Sequence, residues 1–126
     1  QALTNEPMTV FGDGSQTRCF CHVNDVTEAL IGLVDAPEAE GQVFNVGGRD
    51  EISIRDLAEL IKGTVGSSSE IEFIPYERAY ESGFEDMQRR RPDTAKVNKV
   101  LGWSPQLSLN QIIEDVAKDL AARTAM

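Results

Sequence analysis

The chain is poor in the residues that build disulfide frameworks and metal sites. Its 126 residues hold two cysteines and one histidine. Cys19 and Cys21 flank Phe20, so on a strand both point to one face, and such a pair rarely meets disulfide geometry. Together with His22 they are too crowded for a zinc centre, and no second ligand pair follows. Two reduced thiols in a cytoplasmic protein fit this spacing better. Basic residues are also scarce: 12 Lys and Arg against 21 Asp and Glu give a net charge of −9. That excludes the broad basic face that nucleic acid or an anionic membrane requires. No apolar run approaches the ~20 residues needed to span a bilayer, and no signal-peptide pattern is present. The 40% hydrophobic content argues against disorder and suffices for one domain, residues 1–126, with a real core.

Against this acidic background stands Arg89-Arg90-Arg91-Pro92-Asp93. A guanidinium fork matches phosphate oxygens in a bidentate way, and a local cluster can dominate within a Debye length of ~8 Å whatever the net charge. Pro92 biases Arg91 to extended geometry, and Asp93 stands where a helix N-cap is expected. The pattern points to a phosphorylated small molecule.

Elsewhere, Met8–Phe11 reads as a strand, Gly12-Asp13-Gly14-Ser15 as a turn and Thr17–Val23 as a second strand with Arg18, Phe20 and His22 on one face. Asp25 with Glu28 predicts a capped helix whose inward stripe is Val26, Ala29, Leu30, Leu33 and Val34. Gln42–Val46 reads as a strand closed by Gly47-Gly48. Ser53 with Asp56 opens a helix that Gly66 ends, and Ile71–Ile74 is a further strand. Tyr76–Met87 is acidic and irregular, a loop or short helix. A helix over 93–101 stops at Gly102. Ser108 with Gln111 caps a last helix with Leu109, Ile112, Ile113, Val116 and Leu120 inward. The alternation of short strands and about four helices predicts a small mixed α/β domain.

Several segments, in order, resemble the substrate lobe of the extended short-chain dehydrogenase/reductases. They are Thr9-Val10-Phe11-Gly12-Asp13-Gly14-Ser15-Gln16-Thr17-Arg18, Phe20-Cys21-His22-Val23-Asn24-Asp25-Val26 and Val43-Phe44-Asn45-Val46-Gly47-Gly48, then Gly83-Phe84-Glu85-Asp86-Met87 before Arg90-Arg91-Pro92-Asp93, and Leu101-Gly102-Trp103-Ser104-Pro105. Within that family the chain is most similar to NAD-dependent nucleotide-sugar 4-epimerases, UDP-glucuronate decarboxylases and dTDP-glucose 4,6-dehydratases. Such enzymes also carry a Rossmann half with a glycine-rich NAD loop and a Tyr-x-x-x-Lys pair. Here Tyr76 is followed four positions on by Tyr80, and Tyr80 by Phe84, and no strand–glycine-loop–helix fingerprint appears.

The resemblance therefore implies the C-terminal, nucleotide-sugar-binding lobe of a longer enzyme, inactive alone and without bound NAD, with the missing Rossmann half as its partner. Arg18 and Arg90 are implied as the clamp on the diphosphate of a UDP- or dTDP-sugar. Phe11 and Thr9 are implied at the base, Asp93 at the ribose and Asn45 at a phosphate. The residues themselves leave other readings open: an Arg90 ion pair with Glu85 or Asp86, a core Phe11, a purely capping Asp93. His22 is expected to fill structure and Trp103 to pack a helix end. A non-catalytic binding or assembly module is the alternative function. Self-association is expected where apolar surface lacks its other half.

Overall fold

The computed structural model describes residues 1–79 and 86–124 and is α/β, with short strands and helices. It falls into two compact units. One is Gln1–Arg18, Ile52–Arg90 and Ile113–Met126; the other is Cys19–Glu51 and Arg91–Ile112.

In the first unit, β1 (Met8–Phe11) runs parallel to β4 (Ile71–Ile74), pairing Met8 with Ile71 and Phe11 with Ile74. Side chains alternate across β1 as a pleat demands: Met8 and Val10 are buried, Thr9 and Phe11 exposed. Helix α2 (Ile54–Val65) lays Ile54, Ala58 and Ile61 on Met8 and Val10. Burying a side chain such as Val10 contributes about 1.5–3 kcal/mol. The start of α2 follows the sequence reading. Asp56 N donates to Ser53 Oγ (3.0 Å), and Ser53 Oγ donates to the Asp56 carboxylate (2.6 Å). Gly66 ends the helix with φ +66°, a conformation that favours glycine.

Three further strands form a sheet of order β3-β2-β5, with β2 Thr17–Cys19, β3 Glu51–Ser53 and β5 Arg89–Arg90. β2 is shorter than the expected Thr17–Val23. His22 ends it by becoming the N-cap of α1 (Val23–Asp35), its Nδ1 accepting from Asn24 N at 3.0 Å. The expected cap, Asp25, is instead buried in the first turn. Of the irregular stretch Tyr76–Met87, Tyr76–Ala79 is helical (α3). Residues 80–85, including Gly83-Phe84-Glu85, lie outside the described residues.

The core of the second unit is Ala29, Val97 and Trp103, with Cys21, Leu33, Phe44, Val46 and Leu101 against it. Helix α4 is Ala95–Leu101, starting two residues later than expected, with Thr94 as N-cap. α1 meets α4 through Ala29 and Leu33, and Gly32 lets Leu101 approach so closely that an added Cβ would lie 3.0 Å from its Cδ1. Small residues thus choose the contact face. Leu30 and Val34, expected inward, are exposed together with Val23 and Ile31, and Val34 is 84% exposed.

Gln42–Val46 is not a strand. Phe44 and Val46 point inward while Val43 and Asn45 are exposed, so the period-2 pattern holds, but among the described residues no strand ladder includes this backbone. The last helix, α5 (Leu109–Thr124), begins at the expected box, Ser108 N donating to Gln111 Oε1 (2.8 Å) and Gln111 N to Ser108 Oγ (3.3 Å). Ile113 is buried on it, whereas Val116 and Leu120, expected inward, are about half exposed. Among the described residues no helix is long and apolar enough to cross a membrane.

Candidate functional site: a paired-arginine edge

β2 and β5 run parallel with Thr17 opposite Arg89 and Arg18 opposite Arg90. Register partners on neighbouring strands share a sheet face about 4.8 Å apart. The two arginines singled out by sequence, 72 positions apart, are therefore side by side. Like charges so placed repel unless an anion lies between or beside them.

Arg18 is already engaged. Its Nη1 donates to Thr17 O (2.7 Å) and Met87 O (2.8 Å), and its Nη2 to Asp86 Oδ1 (2.6 Å). The Arg18–Asp86 side chains are 21% and 25% exposed, a half-buried pair. The second carboxylate oxygen, Oδ2, accepts from Tyr76 Oη at 3.0 Å. Tyr76 in turn sits over Gly12, where an added Cβ would lie 2.5 Å from ring atom Cε2. Gly12, with φ +68°, thus serves both the turn and the ring. Arg90 is exposed, and no ion pair among the described residues occupies its guanidinium. Asp86, one of its suggested partners, goes to Arg18 instead, and Glu85 lies outside the described residues. Neither Asp86 nor Tyr76 was legible as part of a site, because the contacts that define them span 68 and 10 positions.

Burial, then the hydrogen bond to Asp86 and that carboxylate's charge, push the Tyr76 phenol above its ordinary value of 10.0, with Arg18 opposing. A raised phenol favours the protonated folded state. Its contribution to stability is complete below pH 10 and disappears as pH climbs through the folded-state value. Tyrosine absorbance followed through the alkaline range should show a late-titrating phenol in the wild type that Tyr76→Phe removes.

Thr9 and Phe11 lie on the exposed face of β1, so the ring is not a core residue. Thr9 exchanges hydrogen bonds with the Gln1 side chain (3.2 and 3.3 Å), and Phe11 is 38% exposed. Asp93 and Asn45 belong to the second unit and are exposed. Asp93 is not the N-cap but folds an Asx turn, its Oδ1 accepting from Ala95 N at 2.9 Å. The buried Thr94 hydroxyl accepts from Arg49 Nε at 3.0 Å and leaves helix capping aside. His22 and Trp103 are buried and structural. Cys21 has its thiol pushed up by burial and then by the Asp25 charge, away from a reactive thiolate.

The Gly12-Asp13-Gly14 turn does not have the form of a dinucleotide-binding loop. It leads from β1 into β2 and not into a helix. The space beside Gly12 is taken by Tyr76, and that beside Gly14 by Arg55 Cβ and Val10 Cγ1, each 3.0 Å from where a Cβ would stand.

A family profile described as GDP-mannose 4,6 dehydratase matches residues 1–116. A UDP-N-acetyl-alpha-D-glucosaminuronate decarboxylase of Bacillus cytotoxicus is 38% identical over 114 residues, covering 90% of this chain and 35% of that protein. UDP-glucuronic acid decarboxylase 2 of Arabidopsis thaliana is 38% identical over 123 residues, covering 98% of this chain and 26% of its own length. Among solved structures, the UDP-glucuronic acid 4-epimerase of Bacillus cereus, in complex with UDP-glucuronic acid and NAD, superposes with a TM-score of 0.79. It is 29% identical, and the match covers 94% of this chain and 37% of that one. The chain thus spans about a quarter to a third of the length of the curated relatives it matches.

Proposed function

This chain belongs to the GDP-mannose 4,6-dehydratase family, within the extended short-chain dehydrogenase/reductase fold, and from that premise we propose that it is the substrate-binding part of an NAD-dependent nucleotide-sugar epimerase, decarboxylase or dehydratase. Arg18 and Arg90 grip the diphosphate of a UDP- or dTDP-sugar. The observation that carries this reading is their register on adjacent parallel strands. Two guanidiniums on one sheet face offer a pyrophosphate a donor for each phosphate, and the anion relieves their mutual repulsion.

Phe11 presents an exposed aromatic face for the base, a contact worth ~1–3 kcal/mol when a base stacks, with Thr9 beside it on β1. Asp93 is assigned to the ribose hydroxyls and Asn45 to a phosphate. In this reading the 126 residues act as one binding lobe. NAD and the hydride chemistry belong to a Rossmann half outside them, and the lobe alone is inactive. The exposed Val23, Leu30, Ile31 and Val34 on α1 support self-association of a lobe that lacks such a partner.

The test is a titration of the 126-residue protein with millimolar UDP, followed by NMR, with uridine as the uncharged control. UDP should shift resonances of β2 and β5, and Arg90→Ala should weaken its binding. Hydrogen bonds to charged groups are worth roughly 1.5–3 kcal/mol, about ten- to a hundredfold in affinity. Uridine binding should not change. Equal responses to UDP and uridine, or an Arg18→Ala/Arg90→Ala protein that still takes up UDP like the wild type, would remove the diphosphate clamp.

A further inference from the structure

We infer that Asp86, backed by Tyr76, is a positioning residue that presets the Arg18 guanidinium for its ligand. The inference rests on the nucleotide-sugar reading for its purpose but not for its geometry. Arg18 has five N–H donors. Thr17 O and Met87 O take both on Nη1, and Asp86 Oδ1 takes one on Nη2. The plane of the guanidinium is fixed by three acceptors on two separate chain segments. Nε–H and the second Nη2 hydrogen face no acceptor among the described residues.

Asp86 is itself fixed. One of its oxygens holds Arg18 and the other receives the Tyr76 hydroxyl. Tyr76 cannot swing across the turn, because its ring already fills the space over Gly12. The order of control runs from a glycine that makes room, through a phenol and a carboxylate, to the guanidinium. Register partner Arg90 is exposed and has no ion pair among the described residues. A side chain ordered before binding loses less freedom when the ligand arrives. The carboxylate also offsets the second positive charge, so the two arginines can stand on neighbouring strands before any ligand is present.

Arginine side-chain NMR on the ¹⁵N-labelled 126-residue protein tests this without needing a ligand. In the wild type, rotation about the Arg18 Nε–Cζ bond should be slow enough to give separate Nη signals. Asp86→Ala should merge them. Asp86→Glu should restore part of the separation, and Tyr76→Phe, which keeps the ring over Gly12, should give an intermediate state. Amide spectra establish that each variant is folded, and Asp86→Asn, which keeps the shape and one acceptor, stands in should Asp86→Ala not fold.

A freely rotating Arg18 in the wild type, or no change in Asp86→Ala, overturns the inference. Adding UDP separates it from the reading above. Binding should fall about two- to tenfold in Asp86→Ala, the fold-change expected when one long side chain must be ordered during binding. Unchanged or tighter UDP binding there would make Asp86 a bystander or a competitor, and overturns positioning. A rigid wild-type Arg18 that ignores UDP leaves the harness standing and removes the nucleotide-sugar assignment instead.

Discussion

Gly48→Ala should leave the second unit unable to fold. A Cβ at this position would stand 1.9 Å from the carbonyl oxygen of Phe20 and 2.8 Å from its carbon. Both are backbone atoms, so no side chain can step aside. The chain around Phe20 or around Gly48 must move, and Gly48 is itself buried. Overpacking of this kind costs roughly 3 kcal/mol or more, a large part of the stability of a small domain. Urea denaturation followed by circular dichroism should show the midpoint collapse. The same change at Gly63 is the control. Gly63 lies inside α2 with nothing within 4 Å of the added carbon, and alanine there should raise stability by up to about 1 kcal/mol. A Gly48→Ala protein as stable as the wild type would show that the backbone around Phe20 yields to the added carbon without cost.

Asp25→Ala should cost almost as much, by another mechanism. The Asp25 carboxylate accepts from Gln106 N (3.2 Å) and Leu107 N (3.0 Å), and its own carbonyl receives Trp103 Nε1 (3.0 Å). Asp25 and Trp103 are both buried. Removing the carboxylate leaves two amide donors without their acceptor, at about 1–3 kcal/mol for each group that stays buried. Trp103 is the only tryptophan, so its fluorescence reports unfolding of this unit directly. The urea midpoint should fall by the equivalent of roughly 2–4 kcal/mol, with Asp25→Asn in between because one oxygen can still accept. A midpoint that does not move would mean that Gln106 and Leu107 are held by other contacts.

Asp25 also shows where sequence reasoning succeeds and fails. The boxes at Ser53 and Ser108 were legible because donor and acceptor are three residues apart, and the local pattern is the whole interaction. Asp25 with Glu28 has the same spelling, yet its carboxylate serves backbone 81 and 82 positions away. The apolar periodicity of α1 showed that it is amphipathic. It could not show which flank meets a partner, and the small residues Ala29 and Gly32 decided that in favour of α4. Gln42–Val46 carries the alternation of a strand, but a ladder needs a second backbone, which a segment's own residues do not encode. For the site, Arg90 was legible as part of a conspicuous arginine run in an acidic chain, and Arg18 only through the family resemblance. Their register was not, since β5 has only two residues and its pairing is wholly long-range.

The brevity of β5 has a consequence for how the chain tolerates change. Strands this short are weakly specified, and a slip by one residue would normally put a chemically different neighbour opposite Arg18. Here the flanking positions are Arg89 and Arg91. Whichever way the ladder shifts, a guanidinium still faces Arg18 across it, so the tripled arginine makes the cationic couple insensitive to small insertions and deletions in the stretch that leads up to it.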